Sequence, residues 1–171
     1  MNDISKAIFL NAQRYSESSW LLNRTRKPGL MLASWVNGAL ALELYFKALY
    51  YCANGKNFKL KDENGKERFS HDFLAIFNSF DNKLRSALVS SFDEQLRLRD
   101  MSDVNALDKH NGIGQVPRYL STNLKAWSSV FVKVRYIHEA NGQEMPMMMF
   151  FPEIEHSLLQ AIYSERPEWK P

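Results

Sequence analysis

Apolar residues recur every three to four positions along most of this chain, and that spacing predicts helices. Ile4, Ile8, Tyr15 and Leu22 share one stripe of a first helix, with Asn2 or Asp3 available as its N-cap. Lys27-Pro28-Gly29 breaks the pattern, and Pro28 can open a second helix because the first turn needs no amide donor. That helix is expected over 30–53. Trp35, Ala39, Leu42, Phe46 and Leu49 make one apolar stripe on it, and Leu40 and Leu44 make another. A helix apolar on several sides is a central helix. Asn54-Gly55 ends it by offering a left-handed residue.

The period then changes. Asn64-Gly65 stands between short segments carrying Phe58, Leu60 and Phe69, which predicts a small hairpin or loop inserted near 56–69. Ser70 caps a short helix with Phe73, Ile76, Phe77 and Phe80 inward. Asp81 caps the next, where Leu84, Leu88, Phe92 and Leu96 repeat. From Arg99 to Arg118 the periodicity is weak, and Gly112, Gly114 and Pro117 predict a long mobile loop. Ser121 or Thr122 caps a further helix bearing Leu124, Trp127, Phe131, Val134 and His138 in phase, closed by Asn141-Gly142. Residues 144–151 read as extended, and Pro152 opens a last helix with Ile154, Leu158, Leu159 and Ile162 inward. The expected fold is all-α: an up-and-down bundle of five to six helices in a single domain over 1–171.

Composition narrows the class. Hydrophobic residues are 45% and charged residues 24%, as in ordinary globular chains. No uninterrupted apolar run reaches the roughly 18 residues of a bilayer span, and no secretory signal pattern opens the chain. A cytoplasmic protein without a membrane partner is therefore expected. The single cysteine, Cys52, excludes an internal disulfide and a cysteine-rich zinc site. His71, His110, His138 and His156 show no ligand spacing, so neither a metal nor another cofactor is expected. The net charge of +3 permits a polyanionic partner without requiring one. Lys56, Lys59, Lys61 and Arg68 are the candidate nucleic-acid contacts.

Two charged groups sit where charge is costly. Glu43 is embedded among Ala41, Leu42, Leu44 and Tyr45, and an unpaired buried carboxylate costs several kcal/mol. Arg135, beside a core stripe, is the expected partner in a buried structural ion pair. Lys47, four residues on, can join it along the helix. Arg135 and His138 are also three apart and share a helix face. As candidate catalytic residues, the imidazole would move a proton and the guanidinium would hold a phosphate. The apolar run Met145 to Phe151 suggests a homodimer surface.

Three stretches together resemble the HEPN family: Ala39 to Leu49, which contains Glu43-Leu44-Tyr45-Phe46-Lys47; Ser70-His71-Asp72-Phe73-Leu74; and Val134-Arg135-Tyr136-Ile137-His138-Glu139. The similarity covers residues 39–80 and 127–139. It implies a helical bundle, frequently dimeric, associated with RNA, a nucleotide or a cognate protein partner, as in phage-defence and toxin–antitoxin systems. Active members carry arginine, four to six residues, then histidine. Here Arg135 and His138 enclose two residues. Lys133 stands at the longer spacing, but a lysine cannot reproduce a bidentate phosphate grip. The resemblance thus implies a binding or assembly module with weak or no nuclease activity. One alternative is an active metal-independent endoribonuclease using His138 with Arg135 or Lys133. The other is a structural partner subunit without nucleic-acid binding.

Overall fold

The computed structural model describes residues 4–61, 63–68, 70–110, 116–130 and 149–171. The architecture is an all-α bundle with one small hairpin insertion. Among the described residues there are seven α-helices: α1 (Ile4–Arg24), α2 (Pro28–Asn54), α3 (Phe73–Asn78), α4 (Asn82–Leu98), α5 (Ser102–His110), α6 (Leu120–Ser128) and α7 (Phe151–Glu165). A 3-10 turn at Pro167–Trp169 follows. The two strands, β1 (Leu60–Lys61) and β2 (Glu67–Arg68), pair antiparallel around Gly65, whose φ of 75° serves the tight turn.

α2 is the centre. α1 lies along it, and α3 and α7 pack on its other sides. Ala39, Leu42, Tyr45, Phe46 and Leu49 are all buried. Pro28 stands at its start and Gly55 ends it at φ 68°, its N–H bonded to the Tyr51 carbonyl. The sequence contains no unbroken apolar run of spanning length. Yet α2, at 27 residues, is long and apolar enough on average to cross a membrane, despite Glu43 and Lys47. In this fold its apolar sides are met by the other helices.

Several expectations are corrected by the structure. The buried face of α1 is not the Ile4–Ile8–Tyr15–Leu22 stripe: Ile4 is 53% exposed and Tyr15 is exposed as well. The face turned inward carries Ser5, Phe9, Ala12, Ser16 and Ser19. Small side chains let α1 approach α2 closely, and the buried hydroxyls are satisfied reciprocally. Ser19 Oγ donates to the Ser34 carbonyl at 2.9 Å, and Ser34 Oγ donates to the Ser19 carbonyl at 3.0 Å. Part of the expected loop at 99–118 is α5, where Val104 reaches the core, so the helices number more than five to six. α6 begins at Leu120 after Tyr119, two or three residues before the Ser121 or Thr122 cap would allow. α3 is capped by Asp72, whose carboxylate accepts from Ala75 N–H, while the Asp72 N–H donates to Ser70 Oγ two residues back. Asp81 caps α4 as expected.

Gly38 marks the tightest crossing. A Cβ there would lie 3.2 Å from Ser19 Oγ and from Trp127, and 3.3 Å from Phe151, so α1, α6 and α7 converge on one backbone position of α2.

Candidate functional site

Glu43 lies in the second half of α2 and is 5% exposed. Its two oxygens are both engaged. Lys47, one turn on, pairs with Oε1, and the Nδ1–H of His71 donates to Oε2 at 2.9 Å. His71 is held there by the turn before α3: Asp72 caps that helix, and the next amide, Phe73 N–H, donates to Ser128 Oγ of α6 at 2.8 Å. The imidazole is nonetheless 68% exposed. A buried carboxylate fixing one ring nitrogen of a solvent-facing histidine is an arrangement able to carry a proton. Two of the three stretches singled out in the sequence therefore meet in space, through Glu43, Lys47 and His71. Arg135, His138 and Lys133 lie outside the described residues, as does the proposed Glu43–Arg135 pair.

The basic residues of the hairpin border a second feature. An open cleft of about 460 Å³ is lined by Ile4 of α1, Tyr50 and Tyr51 of α2, and Lys56, Asn57, Lys59 and Glu67 of the insertion. Lys59 Nζ donates to Glu67 Oε2 at 2.8 Å across the hairpin. Leu60 pairs with Arg68, and Lys61 with Glu67, in the strand register. Tyr50 is anchored edge-on against Phe58 with centroids 5.2 Å apart.

Two further acidic groups, missed by the sequence reading, lie on α7. Glu153 accepts from Arg99 at 2.8 Å, and Asp103 accepts from the same guanidinium at 2.6 Å. Burial works against the Arg99 charge, but the hydrogen bonds and charges of Glu153 and Asp103 outweigh it and raise its pKa. Arg99 also lies over the Phe150 ring at 5.4 Å. Phe150 has φ 60°, a left-handed backbone that costs a bulky residue roughly 1–3 kcal/mol. Glu155 is buried and accepts from Ser16 Oγ, from Tyr45 OH at 3.2 Å and from Trp20 Nε1 at 3.3 Å. One signal was available: Glu155 precedes Leu158 and Leu159 by three and four residues, which puts it on the inward face of α7.

The Tyr45 phenol is pushed far above its ordinary range, first by burial and then by the charge of Glu155. The Tyr163 phenol is raised as well, by burial and by the same carboxylate. Stability linked to these groups is complete below the unfolded phenol value of about 10 and falls as pH rises beyond it, because the unfolded chain ionises first. Chemical denaturation between pH 8 and 11 should therefore show a decline starting near pH 10, less steep in Tyr45→Phe. An identical pH dependence in that variant would refute the linkage to Tyr45.

Among the described residues no group of three His, Cys, Asp or Glu side chains is placed to hold a metal ion. Of the apolar stretch 145–151 expected at a dimer surface, Phe150 is buried in its own subunit and Met149 and Phe151 pack on the same core. These three need no partner chain to cover them. Trp20 is 37% exposed and stands at the rim of the bundle. No family model matches this chain, and searches of curated proteins and of solved structures find no match either.

Proposed function

We propose that this chain is an HEPN-like RNA- or nucleotide-associated module, with weak or no nuclease activity of its own, that engages single-stranded RNA at the hairpin cleft. The observation that carries the reading is the combination in that cleft of Tyr50 and Tyr51 with Lys56 and Lys59. Tyrosine rings offer stacking surface to any base, and lysines offer charge to the backbone. The reading includes a cytoplasmic setting and a homodimer. Sedimentation at micromolar concentration tests the dimer, and a monomer alone would refute it.

The test of the main reading is binding to a single-stranded oligoribonucleotide over a salt series. Affinity should fall steeply with salt. Lys56→Ala should flatten the log–log slope by about 0.7, the share of one phosphate contact. Tyr51→Ala should cost about 1–3 kcal/mol with little change in slope. Binding unaffected by either substitution would exclude this cleft, and no binding at all would favour the structural-partner alternative.

The Glu43–His71 contact favours a second reading, a metal-independent endoribonuclease. In it His71 would take the proton of the 2′-hydroxyl while that oxygen attacks phosphorus, and the 5′-oxygen would leave with a proton from a second donor. RNA incubated with EDTA separates the two. Cleavage lost in His71→Ala or in His138→Ala would establish the enzyme; stable RNA supports the module.

A further inference from the structure

The hairpin cleft carries one group that does not suit a polyanion. Lys56, Asn57 and Lys59 can donate to a phosphate, but Glu67 brings a negative charge to the same lining. Glu67 pairs with Lys61 in the strand register, so Lys59, two residues back, is its diagonal neighbour across the hairpin. Lys59 Nζ donates to Glu67 Oε2 at 2.8 Å, and the two side chains are 42% and 52% exposed. Both therefore line the cleft and are open to solvent. An exposed pair of this kind contributes little to stability, so holding the hairpin closed is a weak reason for a carboxylate at this place.

A lysine head only donates hydrogen bonds, and a carboxylate only accepts them. Side by side they match a base edge that carries an acceptor next to N–H donors. Single-stranded RNA splays its bases out and exposes their Watson–Crick edges. On that edge guanine presents the O6 acceptor beside two adjacent N–H donors, at N1 and N2. Adenine, cytosine and uracil each present a single donor group there, so none of them offers a carboxylate two adjacent donors. We infer that the hairpin cleft prefers guanine, with Lys59 donating to O6 and Glu67 accepting from N1–H and N2–H, while a tyrosine ring of the cleft carries the face of the base. Each carboxylate oxygen has two acceptor sites, so Oε2 keeps Lys59 while it accepts from the base. The inference rests on the reading of this cleft as a single-stranded RNA site and adds its base preference. Lys56 is left to the phosphate backbone, because Glu67 balances the charge of Lys59.

The experiment measures, by fluorescence anisotropy, the binding of uridine heptamers that carry one central guanosine, adenosine, cytidine or inosine. The guanosine heptamer should bind at least about fivefold more tightly than the all-uridine one, the low end for a bidentate base contact because the pair is exposed. Inosine lacks the N2 amino group and should lie between them. Glu67→Gln replaces an acceptor by a donor and removes a negative charge. It should weaken the guanosine heptamer and tighten the all-uridine one, leaving the two within about twofold. A carboxylate that only repels phosphate gives a different sign: Glu67→Gln then tightens every heptamer equally, and that result overturns the inference. Inosine bound as tightly as guanosine overturns it too, and this comparison needs no substitution, so it decides even where the variant disturbs the hairpin. Equal, salt-dependent binding of all the heptamers by the unaltered protein removes the base preference and leaves the RNA-binding reading standing. Binding of no heptamer overturns both together.

Discussion

Lys47→Met should lower the unfolding free energy by about 3 kcal/mol. The substitution keeps the length of the side chain and its packing but removes the charge beside Glu43. Among the described residues the carboxylate, 5% exposed, then keeps His71 as its remaining partner. Breaking a buried pair from one side costs roughly 3–5 kcal/mol, and the low end applies because His71 still donates to Oε2. The paired variant Glu43→Met with Lys47→Met should recover most of that loss, since replacing both partners by apolar groups leaves no stranded charge. Urea denaturation of the two single variants and the double variant closes the cycle. A double variant as unstable as Lys47→Met would show that the carboxylate was not the source of the cost.

Trp127→Ala should cost about 3–5 kcal/mol, the range for deleting a buried aromatic side chain. Trp127 is 2% exposed on α6. Its indole N–H donates to the Met149 carbonyl at 3.0 Å, its ring meets Phe151 with centroids 5.6 Å apart, and it lies over Gly38. One side chain thus ties α6 to α2 and to the start of α7. For a chain of this size the loss corresponds to a fall in Tm of about 10 °C. Trp127→Phe should retain most of the packing and lose mainly the hydrogen bond. A Tm within about 3 °C of wild type in Trp127→Ala would mean that the helices close over the gap.

The candidate sites were legible to different degrees. Glu43 stood out because a carboxylate inside an apolar run must find a partner, and Lys47 followed from helical spacing alone. His71 as the second partner was not readable. It comes from a different turn, and its approach to Glu43 depends on how α3 is pinned to α2 and α6. The hairpin was legible from Asn64-Gly65, whose backbone preference is local. The cleft it shares with Tyr50 and Tyr51 was not, because those tyrosines face the insertion only once α2 has ended at Gly55.

By itself the sequence determined that the chain is helical, where α2, α4 and α7 begin, where α2 ends, and that α2 is central. Each of these depends on periodicity, caps and breakers acting within a few residues. The tertiary structure alone decided which face of α1 is inside. Hydrophobic spacing pointed to Ile4, Ile8, Tyr15 and Leu22, whereas the buried face carries Ser5, Phe9, Ala12, Ser16 and Ser19. Two helices that cross closely need small side chains more than apolar ones, and serines are admissible there because the partner helix supplies their hydrogen bonds. The same holds for Glu155. Its burial is tolerable only because Ser16, Trp20 and Tyr45 reach it from two other helices, and no local pattern on α7 encodes donors that lie more than a hundred residues away.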